Sequence, residues 1–293
     1  METKDYLTNY YERYDENGRL ISKHGMVEYL TTMKYVEKYL KPNMRVLEIG
    51  AATGRYSHAL AQKGYRVDAV ELVEHNIEIF KQNTIKGEPV TITQGNAMDL
   101  SAFESDTYDI TLLLGPMYHL FTREDKLKAL SEAIRVTKKD GIIFAAYCMG
   151  DASVLSYGFI RGEIYNIIEK CMLNTETFDT FSNPWDIFEL HRKEDIDNLR
   201  NEFNVTQLHF VASDGYTNHM RETVDQMDER MYELYLKYHL AICERQDMIG
   251  YSQRILRCFR QSFFKDHQSY PCKSVGEALR CVCFQNEGHE SNR

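Results

Sequence analysis

The sequence predicts an α/β fold with a doubly wound, mostly parallel sheet. Two observations support this prediction. Short apolar segments alternate with helical segments between residues 45 and 148, which is typical of strands joined by right-handed crossovers onto a parallel sheet. In addition, the first apolar segment, Arg45–Ile49, runs directly into a turn of small residues, and sheets of this kind bind their ligands at such a junction.

The elements of this region can be placed in order. Strands are predicted at 45–49, 65–72, 89–94, 108–114 and 141–148, and helices at 54–63, 74–85 and 123–137. Two helices precede them within the first forty residues, and the second has apolar residues at helical spacing between Met26 and Leu40. The fourth strand is apolar enough to lie in the middle of the sheet.

The second half of the chain is less regular. Helical segments are predicted at 151–173, 192–203 and 218–245, and strands at 205–212 and 254–259, with the sole tryptophan, Trp185, in a loop. This pattern favours one domain with insertions over two domains. Asp214, His219 and Arg221 follow the strand at 205–212, where they contact either a substrate or only solvent.

Composition limits the classes of function. Hydrophobic residues make up 43% and charged residues 27% of the 293 residues, which is ordinary for a soluble globular protein. No apolar run approaches the roughly 20 residues that cross a bilayer, and residues 1–14 do not resemble a secretory signal. The net charge of −9 argues against a nucleic-acid partner, because phosphate binding needs clustered Lys and Arg. We therefore expect a cytoplasmic protein with a small-molecule substrate, and its oligomeric state stays open.

The seven cysteines are irregularly spaced and include no C-x-x-C pair, which indicates reduced thiols. Four late cysteines, at positions 258, 272, 281 and 283, lack the closely spaced pair of a structural zinc site. We therefore expect no metal. Segment 261–293 has no clear periodicity and is predicted to be a C-terminal appendage.

The turn after the first strand has the sequence E-I-G-A-A-T-G, from Glu48 to Gly54. Glycine and other small residues here allow a sharp turn into a helix and a close approach of a ligand to the backbone. The free N–H groups at the helix start can bind an anionic group. A tight turn with no ligand would need the same residues, so this segment alone does not define a site.

Three further segments follow at the ends of later strands. Glu71 lies 21 residues after Gly50, where an acid is placed to accept hydrogen bonds from ribose hydroxyls. Asn96, with the small and apolar Ala97 and Met98, suits an adenine ring, which needs one polar partner and a flat apolar wall. Each could also be an ordinary strand end, and their spacing makes the ligand interpretation the stronger one.

The segment L-G-P-M-Y-H-L, residues 114–120, follows the fourth strand, where the reactive end of a ligand would lie. Tyr118 and His119 are candidate catalytic residues, because they can orient an acceptor and His119 can take up its proton. A packed aromatic ring and a capping histidine are the structural alternative.

Together these segments resemble the class I S-adenosylmethionine-dependent methyltransferases over roughly residues 40–150, and 114–120 is similar to the bacterial small-molecule type. Ala52 replaces the middle glycine of that family's first motif, and Asn96 stands where many relatives have aspartate. The segment R-V-T-K-K-D-G, residues 135–141, resembles the family's turn into the fifth strand.

The resemblance implies S-adenosylmethionine as cofactor and a Rossmann-like, seven-stranded sheet in the order 3-2-1-4-5-7-6, with the last strand antiparallel. The residues that it implies for cofactor binding are Glu48, Gly50, Ala51, Ala52, Gly54, Glu71, Leu72, Asn96, Ala97, Met98, Leu114 and Gly115. It divides the chain into N-terminal helices 1–42, a cofactor-binding core 43–150, an insertion 151–190, and a core end 191–260 that contains a helical insertion 214–250.

With strands five and six parallel, both insertions leave from the cofactor side of the sheet. Together with the N-terminal helices they are predicted to form a lid that excludes water. The aromatic residues in these segments are Tyr10, Tyr11, Tyr14, Trp185, Tyr216, Tyr232, Tyr235 and Tyr238, and most are expected only to pack the lid helices together. Tyr11 and Tyr14 are the residues predicted to reach the sulfonium end of the cofactor.

The function predicted on this basis is methyl transfer to a small molecule by in-line displacement. One alternative is a methyltransferase-like protein that binds the cofactor without turnover. A nicotinamide-dependent oxidoreductase is disfavoured because the G-x-G-x-x-G pattern is absent, since position 52 is Ala. An RNA methyltransferase is disfavoured by the acidic charge.

Overall fold

The computed structural model describes residues 3–262, and an eight-stranded sheet forms its centre. Its strands are β1 (Arg45–Ile49), β2 (Arg66–Glu71), β3 (Val90–Gln94), β4 (Tyr108–Leu113), β5 (Thr137–Met149), β6 (Leu190–His191), β7 (Val205–Ala212) and β8 (Arg254–Gln261). Their order in the sheet is β3-β2-β1-β4-β5-β8-β7, and the two-residue β6 pairs with β5 outside this path.

The predicted strand order is confirmed. The strands predicted as sixth and seventh are β7 and β8, since the unpredicted β6 precedes them in the chain. Strands β1 to β5 pair in parallel, whereas β8 is antiparallel to both β5 and β7. Because β8 runs in the opposite direction, it begins at the edge where β5 ends, and Arg254 lies opposite Cys148.

Ten α-helices are described within residues 3–262. They are α1 (Thr3–Tyr11), α2 (Lys23–Glu37), α3 (Arg55–Gln62), α4 (Glu74–Asn83), α5 (Arg123–Val136), α6 (Gly150–Ser153), α7 (Ile164–Glu169), α8 (Lys193–Arg200), α9 (Arg221–Asp225) and α10 (Glu229–Ile242). Side-chain caps define several starts, because a side-chain oxygen accepts a free N–H of the first turn. Thr122 caps α5 in this way and Asp228 caps α10.

Two predicted helices are interrupted in the structure. The helix predicted at 151–173 divides into α6, a wide helical turn at Val154–Ile160 and α7, with Gly162 at φ +79° between the last two. A left-handed residue ends a right-handed helix, and glycine adopts that conformation without steric cost. The helix predicted at 218–245 is divided where Asp228 caps a new start. Apolar spacing does not reveal such breaks.

The fifth strand also differs from its prediction, since it begins at Thr137 rather than at Gly141. The register between β4 and β5 shifts between Tyr108 and Ile110, and Asp140 has a positive φ of 62°. These features are those of a β-bulge, in which extra residues stay within the strand. The predicted turn at 137–140 is therefore part of β5.

The core lies on both faces of the sheet, as a parallel sheet covered by helices requires. On one face Ile110 and Leu112 of β4 pack with residues of α2 and α3 such as Val36 and Leu60. On the other face the apolar side of α5, including Leu130, packs against β4 and β5. With both faces covered, ligand access is confined to the strand ends.

The C-terminal appendage predicted at 261–293 lies almost entirely outside the described residues, as do Cys272, Cys281 and Cys283. Within it, Gln261 is the last residue of β8. Among residues 3–262, no helix is long and apolar enough to span a bilayer.

Candidate active site

A cavity of about 340 Å³ lies at the carboxyl ends of β1 to β4, within the size range of small-ligand sites. Its wall contains most of the residues predicted from the sequence. These are Glu48, Gly50, Ala51, Ala52, Glu71, Leu72, Asn96, Ala97, Met98, Leu114, Gly115, Tyr118 and His119. The two other predicted site residues, Gly54 and Tyr14, are outside this lining.

The turn after β1 depends on glycine at two positions. Gly50 has φ +74°, and a Cβ there would lie 2.7 Å from the Pro116 ring, so the turns after β1 and β4 touch. Gly54 has φ +91°, and a Cβ there would lie 2.6 Å from the His58 ring. The turn therefore requires glycine at this position, although Gly54 does not line the cavity. Ala52, which replaces the family's middle glycine, also adopts a left-handed φ of 49°. The turn therefore keeps the shape that glycine would allow.

Glu71 ends β2 and is 6% exposed. Its Oε2 accepts the backbone N–H of Ala52 at 2.8 Å, and its Oε1 accepts that of Val73 at 2.9 Å. Burial raises the pKa of this carboxyl, and the hydrogen bonds from Val73 and Ala52 oppose the rise. The contact with Ala52 ties the strand-end acid to the glycine-containing turn and fixes its direction.

Glu48, the last but one residue of β1, is a second buried carboxyl on the cavity wall, at 2% exposure. Burial raises its pKa to about 8, despite a hydrogen bond donated by the Ser57 hydroxyl, and the charge of Glu71 adds to the rise. A carboxyl held in this way favours a ligand with a positive charge, since such a ligand stabilises the ionised form.

The turn after β3 forms another part of the wall. The Oδ1 atom of Asn96 accepts the N–H of Met98 at 3.0 Å, so the side chain folds back onto its own turn. The oxygen then offers its second lone pair to a ligand. Ala97, Met98 and Leu72 supply apolar surface beside it.

His119 follows β4 and makes two hydrogen bonds. Its Nδ1 lies 2.6 Å from the backbone oxygen of Ile187, and its Nε2 lies 3.0 Å from the hydroxyl of Tyr11. Because a carbonyl oxygen can only accept, Nδ1 carries the proton, and Nε2 accepts a hydrogen bond from Tyr11. Burial lowers the pKa of His119 to about 4, so the ring is neutral at pH 7.

Four rings in mutual contact form what we call the aromatic wall: Tyr11, Tyr118, His119 and Phe188. The His119 centroid lies 4.7 Å from that of Tyr118, 5.4 Å from Phe188 and 5.9 Å from Tyr11. Burial raises the pKa of Tyr118 to about 12, which keeps its hydroxyl protonated. At this wall three separate parts of the chain meet: α1, the turn after β4, and residues 184–188.

Helix α1 covers the cavity. Its Leu7 packs with Val73, which follows β2, and with Ile187. Tyr11 lines the cavity, whereas Tyr14 stacks on Tyr10 at 5.0 Å outside the cavity lining and is 39% exposed. Of the two tyrosines predicted to reach the cofactor, the structure therefore places only Tyr11 at the cavity.

The other aromatic residues of the predicted lid do not line the cavity. Trp185 is 61% exposed. The insertion at 214–250 packs against α2, where the Tyr232 hydroxyl donates to the oxygen of Lys23, and the ring of His239 bonds the hydroxyl of Thr31 at 3.0 Å. Helix α1 and residues 184–188 are thus the segments that cover the site.

Several residues of this region carry no signal in the sequence. Arg19 lies on the cavity wall after α1, where its guanidinium pairs with Glu16 at 2.7 Å and with Glu28 at 2.9 Å. Arg254 lies beside the aromatic wall, with its guanidinium 4.3 Å from the Tyr118 ring centroid. A single arginine, in a loop such as Arg19 or at a strand start such as Arg254, has no characteristic spacing and is not recognisable as a site residue in the sequence.

No group of three His, Cys, Asp or Glu residues arranged to hold a metal ion occurs within residues 3–262. In the same part of the chain Cys148, Cys171, Cys243 and Cys258 are free thiols.

This geometry defines a nucleotide-binding α/β protein, because a glycine-containing turn, a ribose-type acid and an adenine-type turn follow consecutive parallel strands. Comparison with known proteins gives the family. Residues 47–145 match the family model described as "Methyltransferase domain". Residues 47–145 are therefore a methyltransferase domain of the class I S-adenosylmethionine-dependent family, whose cofactor is S-adenosylmethionine.

Curated relatives include the glycine/sarcosine N-methyltransferase of Aphanothece halophytica, 29% identical over 143 residues, or 47% of this chain and 52% of that protein. A ubiquinone biosynthesis O-methyltransferase of Methylocella silvestris is 25% identical over 127 residues, or 43% of this chain and 48% of that protein. The chain spans about half the length of these curated relatives.

Solved structures agree on the fold. The PH0226 protein of Pyrococcus horikoshii superposes with a TM-score of 0.56 at 15% identity, covering 87% of this chain and 99% of that chain. The phosphoethanolamine N-methyltransferase 1 of Haemonchus contortus, solved with phosphoethanolamine and S-adenosylhomocysteine, superposes with a TM-score of 0.57 at 16% identity, covering 92% of this chain and 50% of that chain.

Proposed function

We propose that this protein transfers the methyl group of S-adenosylmethionine to a small-molecule acceptor by in-line displacement. The observation that carries the proposal is the polarity of the cavity. Two buried carboxyl groups, Glu48 and Glu71, lie among the strand ends, and the aromatic wall bounds the cavity beside the turn after β4. The cofactor, when bound, supplies the activated methyl group.

The carboxyl groups fit the cofactor's polar groups. Glu71 is held by the Ala52 N–H, and its oxygens retain lone pairs for a ribose diol. Glu48 suits the amino group of the methionine part, because a positive charge would compensate its buried ionised form. A dinucleotide's diphosphate offers Glu48 no positive charge, which supports the methyl donor over a nicotinamide cofactor.

The aromatic wall supports a positioning role for His119. Its neutral ring accepts from Tyr11, and a pKa of about 4 makes it a weak base. We therefore assign the contact with the acceptor to Tyr11, whose oxygen donates its proton to His119 and can accept a hydrogen bond from an N–H or O–H of the incoming nucleophile. His119 holds Tyr11 in place. Tyr118 would face the acceptor as a neutral phenol.

Catalysis in this arrangement comes mainly from proximity and exclusion of water. Holding two reactants in line is worth roughly 7–11 kcal/mol in well-oriented systems. Helix α1 and residues 184–188 cover the cavity and keep water from it. This requirement explains why the segments that cover the site are apolar on their inner side, as at Leu7 and Ile187.

Calorimetry with S-adenosylmethionine, S-adenosylhomocysteine and NADH tests the cofactor assignment. We expect the first two to bind and NADH not to bind, and tighter binding of NADH would contradict it. A panel of small amines, phenols and thiols then tests transfer, with methylated product measured by mass spectrometry. Cofactor binding without transfer to any acceptor would favour a binding protein.

A further inference from the structure

Arg254 is the first residue of β8 and lies where the sheet meets the aromatic wall. Since β8 is antiparallel to β5, Arg254 is opposite Cys148 at the carboxyl edge of the sheet. Its guanidinium carbon lies 4.3 Å from the ring centroid of Tyr118 and 5.5 Å from that of Phe188. The side chain thus lies over two rings of the wall.

The Arg254 guanidinium has no carboxylate within ion-pair distance among residues 3–262. The hydrogen bond that it makes in this part of the chain joins Nη1 to the Cys148 sulfur at 2.8 Å. Burial raises the pKa of that thiol to about 11, so the sulfur is uncharged at pH 7. A guanidinium carries five N–H donors and stays protonated, and a partly buried one without an anion is costly.

The nearby acids are already engaged. The carboxylate of Glu28 pairs with Arg19 through both oxygens, at 2.9 and 3.0 Å. Asp214 is only 1% exposed rather than solvated, and it accepts the Ser252 hydroxyl at 2.5 Å and the backbone N–H of Arg254 at 3.1 Å. Burial raises its pKa to about 6. These contacts leave the Arg254 side chain as a positive charge that no carboxylate neutralises directly.

Arg221 adds a second guanidinium to this region. It donates to the side-chain oxygens of Asn218 at 2.6 Å and Gln253 at 3.3 Å, which are neutral amides. Gln253 directly precedes Arg254, so the two arginines flank one stretch of backbone. The nearby carboxyl group of Asp214 offsets part of the positive charge of the two guanidinium groups.

We propose that Arg254 binds an anionic group, a carboxylate or a phosphate, of the methyl acceptor. The guanidinium lies over the ring of Tyr118, which lines the cavity, and a guanidinium can donate two parallel hydrogen bonds to such a group. This inference rests on the proposed function and names the substrate class: a small acceptor with an acidic group at one end and the nucleophile at the other.

The test uses the full chain with and without saturating S-adenosylhomocysteine. Glycine and glycinamide are titrated as a pair that differs in a carboxylate, and phosphoethanolamine and ethanolamine as a pair that differs in a phosphate. Inorganic phosphate and acetate serve as simple anions, and all titrations are followed by calorimetry. We expect the anionic member of at least one pair, or one simple anion, to bind.

Arg254→Gln is expected to weaken that binding by about tenfold or more, because a charge-assisted pair of hydrogen bonds is lost. Arg254→Lys keeps the charge but cannot donate the two parallel hydrogen bonds, so it should recover only part of the binding, which separates binding from a folding defect. Arg260→Gln, on the exposed end of the same strand, is the matched control and should bind like the wild type.

The proposal is overturned if no anion binds the wild-type chain, or if Arg254→Gln binds anions as the wild type does. Binding of anions without any binding of S-adenosylhomocysteine would instead contradict the proposed function. The proposal for Arg254 and the proposed function would therefore be contradicted by different measurements.

Discussion

The cofactor end and the acceptor end of the cavity are built in different ways. The cofactor end consists of the ends of β1, β2 and β3 with the turns that follow them, and each carries its own group: Glu48, Glu71 and Asn96. The proposed acceptor end has Tyr11, Tyr118 and His119 on the cavity wall, in contact with Ile187 and Arg254, and these residues come from distant parts of the chain. The first end is a series of local motifs, and the second is a product of tertiary packing.

The two ends also differ in charge. The cofactor end holds two buried carboxyl groups, and the acceptor end has a guanidinium over neutral rings. Such an arrangement orients two ligands that carry different charges and keeps each at its own end. A local motif can be kept in many relatives, whereas an end assembled by packing can change its chemistry by single substitutions.

The largest expected effect concerns the cofactor end. Glu71→Gln should weaken binding of S-adenosylhomocysteine by about 100-fold, because the ribose loses charge-assisted hydrogen bonds. In addition, the two carboxylate oxygens accept from Ala52 and Val73, and a glutamine amide has one oxygen for these two N–H groups. Calorimetry measures the loss. Glu74→Gln, exposed three residues later, is the control, and equal affinities of the two variants would contradict a ribose role.

The second prediction uses the pKa of Glu48, which is about 8 in the folded chain against an ordinary value of 4.5. A raised carboxyl pKa stabilises the fold at low pH, and this contribution is lost as the pH rises from 4.5 to 8. Glu48→Gln lacks the titration. Relative to the wild type, the free energy of unfolding of the variant should therefore gain about 2 kcal/mol between pH 5 and pH 6.5.

Urea denaturation of the ligand-free chain at several pH values measures this difference. Glu48→Gln keeps the size of the side chain, so an effect on packing would appear equally at pH 5. A constant difference between the two proteins at all pH values would show that Glu48 does not titrate in this window.

The third prediction concerns the acceptor end. Tyr11→Phe removes the hydroxyl that bonds His119 and should lower kcat about tenfold, since a positioned polar group near the reacting atoms is lost. Binding of S-adenosylhomocysteine should stay within about twofold, since the lost hydroxyl bonds His119 rather than Glu48, Glu71 or Asn96 of the cofactor end. The measurement is the rate of methyl transfer to an acceptor found in the panel.

Tyr14→Phe is the matched control for Tyr11→Phe, because Tyr14 lies outside the cavity on the same stretch of chain. The structure predicts no change in kcat for this variant. A larger effect of Tyr14→Phe than of Tyr11→Phe would mean that α1 shifts on ligand binding and brings Tyr14 to the sulfonium, as predicted from the sequence.

The smallest effect is expected at Ala52. Its left-handed conformation costs roughly 1 kcal/mol for a residue with a Cβ, and glycine removes this cost but adds entropy to the unfolded chain. Ala52→Gly should therefore raise the free energy of unfolding by about 0.5 kcal/mol. Chemical denaturation can resolve this change. A clear destabilisation would show that the Ala52 methyl group makes a contact that the turn requires.

Most of the first half of the fold was predictable from the sequence, and β1 to β4 end within one residue of their predicted positions. Apolar strands and glycine turns are local signals, so each can be recognised alone. Breaks at Gly162 and Asp228 were not predicted, because a helix with a short interruption keeps its apolar spacing. The early start of β5 was missed because its bulge resembles a turn in sequence.

The candidate site divides in the same way. Glu48, Glu71 and the segment around His119 were predicted, since each follows a strand at a spacing that a parallel sheet makes meaningful. Arg254 was not predicted as a site residue. It reaches the aromatic wall only because β8 is inserted antiparallel beside β5.

The sequence by itself determined the strands of the sheet, because these follow from short-range patterns of apolar residues and glycines, and its motifs implied the strand order and the residues of the cofactor end through their resemblance to a known family. The tertiary structure decided which groups face the acceptor: that Tyr11 rather than Tyr14 lines the cavity, that His119 bonds Tyr11, and that Arg254 lies over Tyr118. Such contacts join residues far apart in the chain. They depend on how helices and loops pack, and no local pattern encodes that packing.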